Sequence, residues 1–195
     1  QTIEAVADRV SKLDFSGDGI KEDDCYLYGT GYASVIQGIS NGAEGIDVVG
    51  ASVQMSQDGS VLVGSALTEL GQGSRTVFAQ IVSEVLGVPI KNITARLVDT
   101  DSVHDSGPTV ASRATTTGGM AVFQAANEVK NSLLKMAAIM FKTESENIVL
   151  KEGFAVLNFD DSVRIPIDQV ATAAYWTGFP LMNMAFSKAL EADFD

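Results

Sequence analysis

Two short stretches hold most of the residues whose type and spacing suit them to chemistry. The first is Gly71-Gln72-Gly73, which lies between a strand pattern and the start of a helix pattern. Two glycines let a backbone turn sharply and come close to a ligand. The helix that follows offers unpaired N–H groups and the positive end of its dipole, which suits an anion or an oxo ligand. Gln72 adds an amide that both donates and accepts. The second stretch is Asp105-Ser106-Gly107-Pro108-Thr109-Val110-Ala111-Ser112-Arg113, followed by Ala114-Thr115-Thr116-Thr117-Gly118-Gly119. Gly107-Pro108 signals a turn, and Ser112 is placed to cap a long helix. Hydroxyls and backbone N–H groups then gather at one helix N-terminus, as an anionic, hydrogen-bond-rich ligand such as a phosphate requires. Each stretch also has a plainer explanation. The first alone reads as a tight strand-to-helix turn, and the second as a well-capped helix behind a solvated polar turn.

Other candidate groups carry less. Arg113 has the fork geometry to hold a phosphate bidentately, and equally to pair with a surface carboxylate. Asp99 and Asp101 at a strand end are two carboxylates without further oxygen ligands, which is poor support for a cation site. His104 beside Asp105 reads as a solvated surface histidine rather than a general base. Met120, Met136 and Met140 read as core filler on the long helix.

Composition removes several function classes. The chain has 195 residues, 46% of them hydrophobic, enough to bury a core in one domain or two small lobes. A net charge of −12 argues against a phosphate backbone or an anionic membrane surface as partner. With one cysteine, Cys25, and one histidine, His104, neither a cysteine-rich metal centre nor a multi-histidine site can be built. No apolar run is long enough to span a bilayer, and the N-terminal residues lack a signal pattern. The expected location is the cytoplasm. The absence of an initiator Met is read as a sign that the chain was cut from something larger.

The elements that must position the two stretches follow from periodicity. Ile3, Val6, Val10 and Leu13 have helical spacing. Asp14–Asp24 reads as a polar loop and Cys25–Ile39 as extended chain, with a bulge or close approach at Gly29 and Gly31. Ile46–Met55 and Val61–Leu67 read as strands joined across Asp58-Gly59. Residues 74–87 read as a helix with Ser74 as N-cap and a stop at Gly87 and Pro89. Ile93–Val98 is a short strand, Asp99–Thr109 a loop, and Ala111–Met140 a long helix. Ile148–Leu150 and Phe154–Leu157 flank a second hairpin turn, Pro166 opens a last helix, and Asn183–Asp195 finds no partner. This order predicts an α+β fold, with mixed β-sheets packed with helices, rather than a doubly wound one.

The two stretches occur together, with specific surroundings. Glu69-Leu70-Gly71-Gln72-Gly73 is followed by Thr76, Gln80-Ile81-Val82 and Leu86-Gly87-Val88-Pro89. Ile93 and Asp99-Thr100 come next, then Ser106-Gly107-Pro108-Thr109, Ala111-Ser112-Arg113, Thr115, and Gly118-Gly119 leading to Ala121-Val122. This string resembles the second molybdopterin-binding domain of the large, molybdenum subunit of the xanthine dehydrogenase/aldehyde oxidase family. Gly29-Thr30-Gly31-Tyr32-Ala33 and Gln57-Asp58-Gly59-Ser60-Val61 also look like that family, and the match is densest over residues 57–131.

The resemblance implies a molybdenum-cofactor-binding-domain-like fold, with residues 1–195 forming part of such a domain and cofactor loops at 69–76 and 105–119. It implies a molybdenum–molybdopterin cofactor, in a cytosine dinucleotide form in bacterial members, and oxidative hydroxylation of an N-heterocycle or aldehyde. By motif position, Gln72 would hydrogen-bond the cofactor near its metal end, with Gly71 and Gly73 admitting the backbone. Ala111, Ser112 and Arg113, with Thr109 and Thr115, would bind the pterin or its phosphate. Implied partners are the remainder of the molybdenum subunit and iron–sulfur and FAD subunits or domains. The family's general base is a glutamate in a Gly-Glu motif, and the final third of this chain has none. No catalytic residue or direct metal ligand is therefore expected here, and the piece alone is expected to lack cofactor and activity. A non-catalytic carrier or assembly module for the pterin is the alternative.

Overall fold

The computed structural model describes residues 2–12, 33–35, 38–39, 47–96 and 98–189. The chain divides into two units, residues 1–38 and 39–195. In the first, helix α1 spans Thr2–Ser11, and the exposed Lys12–Asp8 pair across one turn contributes little. Of its expected apolar face, Val6 is exposed, while Leu13 and the side chains of Ile3 and Val10 lie outside the described residues. So do the polar loop, most of the extended segment including Gly29 and Gly31, and Cys25.

The second unit holds two sheets and three helices. Strands β1 (Val48–Met55) and β2 (Val61–Ser65) form the expected hairpin, with Met55 opposite Val61. Gly59, at φ 78°, supplies the left-handed residue this turn needs. Helix α2 (Ser74–Leu86) then crosses over to β3 (Ile93–Ala95), which pairs parallel to β2. A five-residue π-turn, Ala114–Gly118, leads into the 23-residue helix α3, Gly119–Phe141. Strands β4 (Ile148–Lys151), β5 (Phe154–Leu157) and β6 (Asp160–Pro166) make a separate antiparallel sheet. The β4–β5 turn carries Glu152 at φ 52° and Gly153 at φ 83°, the positive pair that matches strand twist in two-residue hairpins. Helix α4 (Ile167–Trp176) starts directly after Pro166, and strand β7 (Met182–Lys188) returns to β1. The first sheet has the order β3-β2-β1-β7. Mixed sheets packed with helices are thus what the chain forms, as the element order predicts.

The core lies where α3 meets the first sheet. Val49, Ala51, Val53 and Met55 alternate on one face of β1 and are buried with Val122, Ala126, Val129 and Leu133 of α3. Each fully buried Val or Leu contributes about 1.5–3 kcal/mol.

Several expectations are corrected. Strand β2 stops at Ser65 rather than Leu67, and β3 at Ala95 rather than Val98. Ser74 is not the cap of α2, because Gly73 holds that position at φ 81°. Ser112 does not cap α3, because a π-turn intervenes. Met120 is 48% exposed rather than core, whereas Met136 is buried and Met140 packs against the core. Residues 183–188 do have a partner, since β7 pairs along the whole of β1.

Gly87 ends α2 at φ 63°, and a Cβ there would stand 2.3 Å from the backbone carbonyl of Leu150. Its own carbonyl accepts the Gly153 N–H at 2.6 Å, so the end of α2 is clamped to the β4–β5 hairpin. Gly87→Ala is therefore expected to lower stability by about 3 kcal/mol or more. Urea unfolding measures this, and an unchanged midpoint would show that the close approach is dispensable.

Candidate functional site

The first loop, residues 68–75, is organised by a carboxylate. Glu69 Oε1 accepts the N–H groups of Gly71 at 2.8 Å and Gly73 at 2.9 Å. Its Oε2 accepts the Ser74 hydroxyl and the Arg75 N–H, both at 3.3 Å. The Gly73 N–H foremost, with those of Arg75 and Gly71 and the Ser74 hydroxyl, holds the Glu69 carboxyl below its ordinary pKa. The α2 N-terminus expected to receive an anionic ligand is thus already capped by an anion of the chain itself. Gly71 and Gly73 adopt φ 101° and 81°, which L side chains rarely take, and nothing lies within 4 Å of where their Cβ atoms would be. Gln72 folds into the same loop. Its Oε1 accepts the Leu70 N–H at 2.5 Å, and its Nε2 donates to the Thr68 carbonyl at 2.8 Å and the Ser74 hydroxyl at 3.3 Å.

The second loop abuts the first. The Thr68 N–H donates to Thr109 Oγ1 at 2.7 Å, a direct tie between the two. Beneath it, Gly118 packs so closely that an added Cβ would meet Leu67 at 2.4 Å. Ala111 and Ser112 have φ of 43° and 61°, unusual for residues with a Cβ. Such conformations cost about 1–3 kcal/mol each and persist only where the surroundings enforce them. Among the described residues, the N–H groups of Ala111 and Ser112 have no acceptor. The Ser112 carbonyl accepts the Thr116 hydroxyl at 3.1 Å, and the Ser112 and Thr115 side chains are exposed.

Arg113 is the largest departure from expectation. Its side chain is 1% exposed, which corrects both the surface pair and the phosphate fork. Nε donates to Asp47 Oδ1 at 2.7 Å, and Nη2 reaches the same oxygen at 2.5 Å. Nη1 donates to the carbonyls of Ser106 at 2.5 Å and Pro108 at 2.6 Å, and Nη2 to that of Val48 at 3.1 Å. Removing either partner of this buried pair leaves the other charge stranded, at a cost of about 3–5 kcal/mol. Ser106 is also buried, and its hydroxyl donates to the carbonyls of Gly50 and His104. His104 is not freely solvated either, since its ring lies tilted against Phe186 with centroids 5.9 Å apart. Asp99 Oδ1 accepts the Asp101 N–H, and no cluster of three or more His, Cys, Asp or Glu residues capable of holding a metal occurs among the described residues.

Gly71, Gln72, Gly73, Thr109, Ala111, Ser112 and Thr115 therefore belong to two loops that touch, with Arg113 behind them. Sequence reasoning missed the organising role of Glu69, although an acidic residue just before a glycine-rich helix start is a legible signal. It had no means of finding Asp47, which is 66 positions from Arg113.

Comparison with known proteins bears on what these loops serve. The family model of the molybdopterin cofactor-binding domain matches residues 16–194. The chain belongs to that family. This molybdopterin cofactor-binding domain is 38% identical over 127 residues to the nicotine 6-hydroxylase large subunit of Paenarthrobacter nicotinovorans, covering 65% of the chain and 15% of that protein. It is 36% identical over 114 residues to the xanthine dehydrogenase molybdenum-binding subunit of Escherichia coli O157:H7, covering 58% of the chain and 15% of the relative. Its fold is similar to quinoline 2-oxidoreductase from Pseudomonas putida 86, with TM-score 0.68 and 27% identity over 74% of the domain and 19% of that enzyme. The domain thus spans less than a fifth of each of these relatives. Among the described residues, no helix is long and apolar enough to cross a membrane.

The lowered pKa of Glu69 has a consequence for the domain's stability. A group whose folded pKa is depressed stabilises above its unfolded pKa, and that contribution is lost as pH falls through the folded value. Thermal melts across the acidic range are expected to show wild type above Glu69→Gln at neutral pH, with the gap closing on acidification. A gap that stays constant with pH would show that the carboxylate charge does not hold the loop.

Proposed function

We propose that residues 69–76 and 105–119 form one wall of a molybdopterin site in the molybdenum subunit of a hydroxylase. The observation that carries this reading is the join between the loops, Thr68 N–H on Thr109 Oγ1, beside two successive main-chain N–H groups without an acceptor. Those N–H groups at Ala111 and Ser112, with the exposed Ser112 and Thr115 hydroxyls, suit a polar, anionic pterin tail. Open space on the Cβ side of Gly71 and Gly73 suits a group that lies close against the backbone. The donor set therefore fits the cofactor, in its dinucleotide form as well, through neutral donors rather than a cationic clamp.

In this reading Gln72 turns part of its amide from the Thr68 carbonyl toward the cofactor, while Glu69 keeps the loop in shape. Thr109 and Thr115 hold the second loop beside it, and Arg113 acts from within. Bound there, the cofactor would supply two-electron redox chemistry for hydroxylating an N-heterocycle or aldehyde carbon. The nicotine and xanthine relatives favour the N-heterocycle. The base, the substrate contacts and the opposite wall would come from other parts of the subunit, with iron–sulfur and flavin partners taking the electrons, in the cytoplasm. On its own, this stretch would neither retain the cofactor nor turn over.

The test uses the subunit purified from a host that makes the cofactor. Near-stoichiometric molybdenum by elemental analysis and pterin by oxidation and fluorescence are expected. Protein free of both would overturn the reading and leave a shared fold.

A further inference from the structure

We propose that Arg113, with Asp47, is a positioning residue that holds the second loop in its ligand-ready shape without touching the ligand. The inference rests on the reading of Ala111 and Ser112 as cofactor contacts. A guanidinium has five N–H donors, and five acceptor contacts are made here. None is left to reach a ligand, and the group is buried at 1% exposure. What it does hold is the loop. The Ser106 and Pro108 carbonyls both converge on Nη1, so residues 106–113 close into a ring fastened by a side chain.

Gly107 makes that convergence possible. It adopts φ 64°, and a Cβ there would stand 3.6 Å from Nη1 and 3.9 Å from Nη2, against the guanidinium. Asp47 and the Val48 carbonyl anchor the other side of the fork at the start of β1. Inside this ring lie Ala111 and Ser112, the two residues with left-handed φ and unmatched N–H groups. An arrangement so uncommon for non-glycine residues persists where surrounding contacts over-determine it, and the fork is the contact that spans it. Lysine cannot replace the fork. Its ammonium is a single point, able to face Asp47 or the carbonyls at 106 and 108 but not both sides at once.

The test compares pterin release from the cofactor-loaded subunit carrying Arg113→Lys, Ser112→Asp, or a destabilised control. The control is Val85→Ala or Leu133→Ala, whichever matches the unfolding midpoint of R113K. R113K is expected to release pterin about tenfold faster than wild type or more, while the control releases it at the wild-type rate. Equal release from R113K and its control would overturn the proposal, since Arg113 would then act only through global stability. Ser112→Asp places a carboxylate on the exposed loop face at a backbone angle that Asp tolerates, and faster release is expected. If S112D leaves release unchanged, the reading of this loop as a cofactor contact falls and takes the proposal with it. If S112D accelerates release and R113K does not, only the positioning role falls. Where R113K does not accumulate, Asp47→Asn, which keeps one acceptor oxygen but removes the charge, is expected to show the same excess release over its matched control.

Discussion

Helix α3 has to be buried along most of its length, and the second unit is arranged around that need. It touches β1 and β7 of one sheet, β4 of the other, and helices α2 and α4. Close approach on so many sides requires small residues, and Ala121, Ala125, Ala126 and Ala137 are all fully buried. The demand is sharpest where the helix begins. Gly118 sits against Leu67 and Gly119 against Ile81, so the start of α3 is pressed onto the end of the β2 segment and onto α2. The π-turn of Ala114–Gly118 absorbs the change of direction between the second loop and the straight helix. Because α2 and α3 both start beside one another at this end, the loops that precede them are forced together.

Charge is used at this end in an inward-looking way. Glu69 caps the backbone of its own loop, and Arg113 ties its own loop to β1. Both side chains satisfy polar groups of the protein, and neither presents a free charge to a ligand. What remains toward the outside is main-chain N–H and hydroxyl. A site of this kind recognises shape and hydrogen-bond pattern more than net charge, which is compatible with a chain whose overall charge is −12.

The helices, the two tight hairpins and the pairing of loops with helix starts were legible because they are local. Periodicity over residues 74–86 and 119–141, Asp58-Gly59, and Glu152-Gly153 carry their own signals. Strand β6 was illegible because it is an edge strand, exposed from Asp160 through Arg164, without apolar alternation. Strand β7 misled for the opposite reason. Its bulky apolar residues, Met182, Met184 and Phe186, are exposed, while the smaller Ala185 and the polar Asn183 and Ser187 alternate with them toward the helix side. At the site, residue types pointed to the right loops but not to partners. The role of Arg113 depends on Asp47, and nothing local marks a pairing across that distance.

The return of β7 to β1 also dictates when the first sheet can be completed. Val48 pairs with Lys188, 140 positions further along. At about 5–20 residues per second, a ribosome needs on the order of 10 s to make that intervening chain. Throughout that time β1 has its hairpin partner β2 on one side and an open hydrogen-bonding edge on the other. Closing a contact of such sequence separation is slow even after synthesis. The nascent protein thus carries an adhesive strand through most of its assembly, and shielding that strand becomes a task for chaperones before any cofactor can be received.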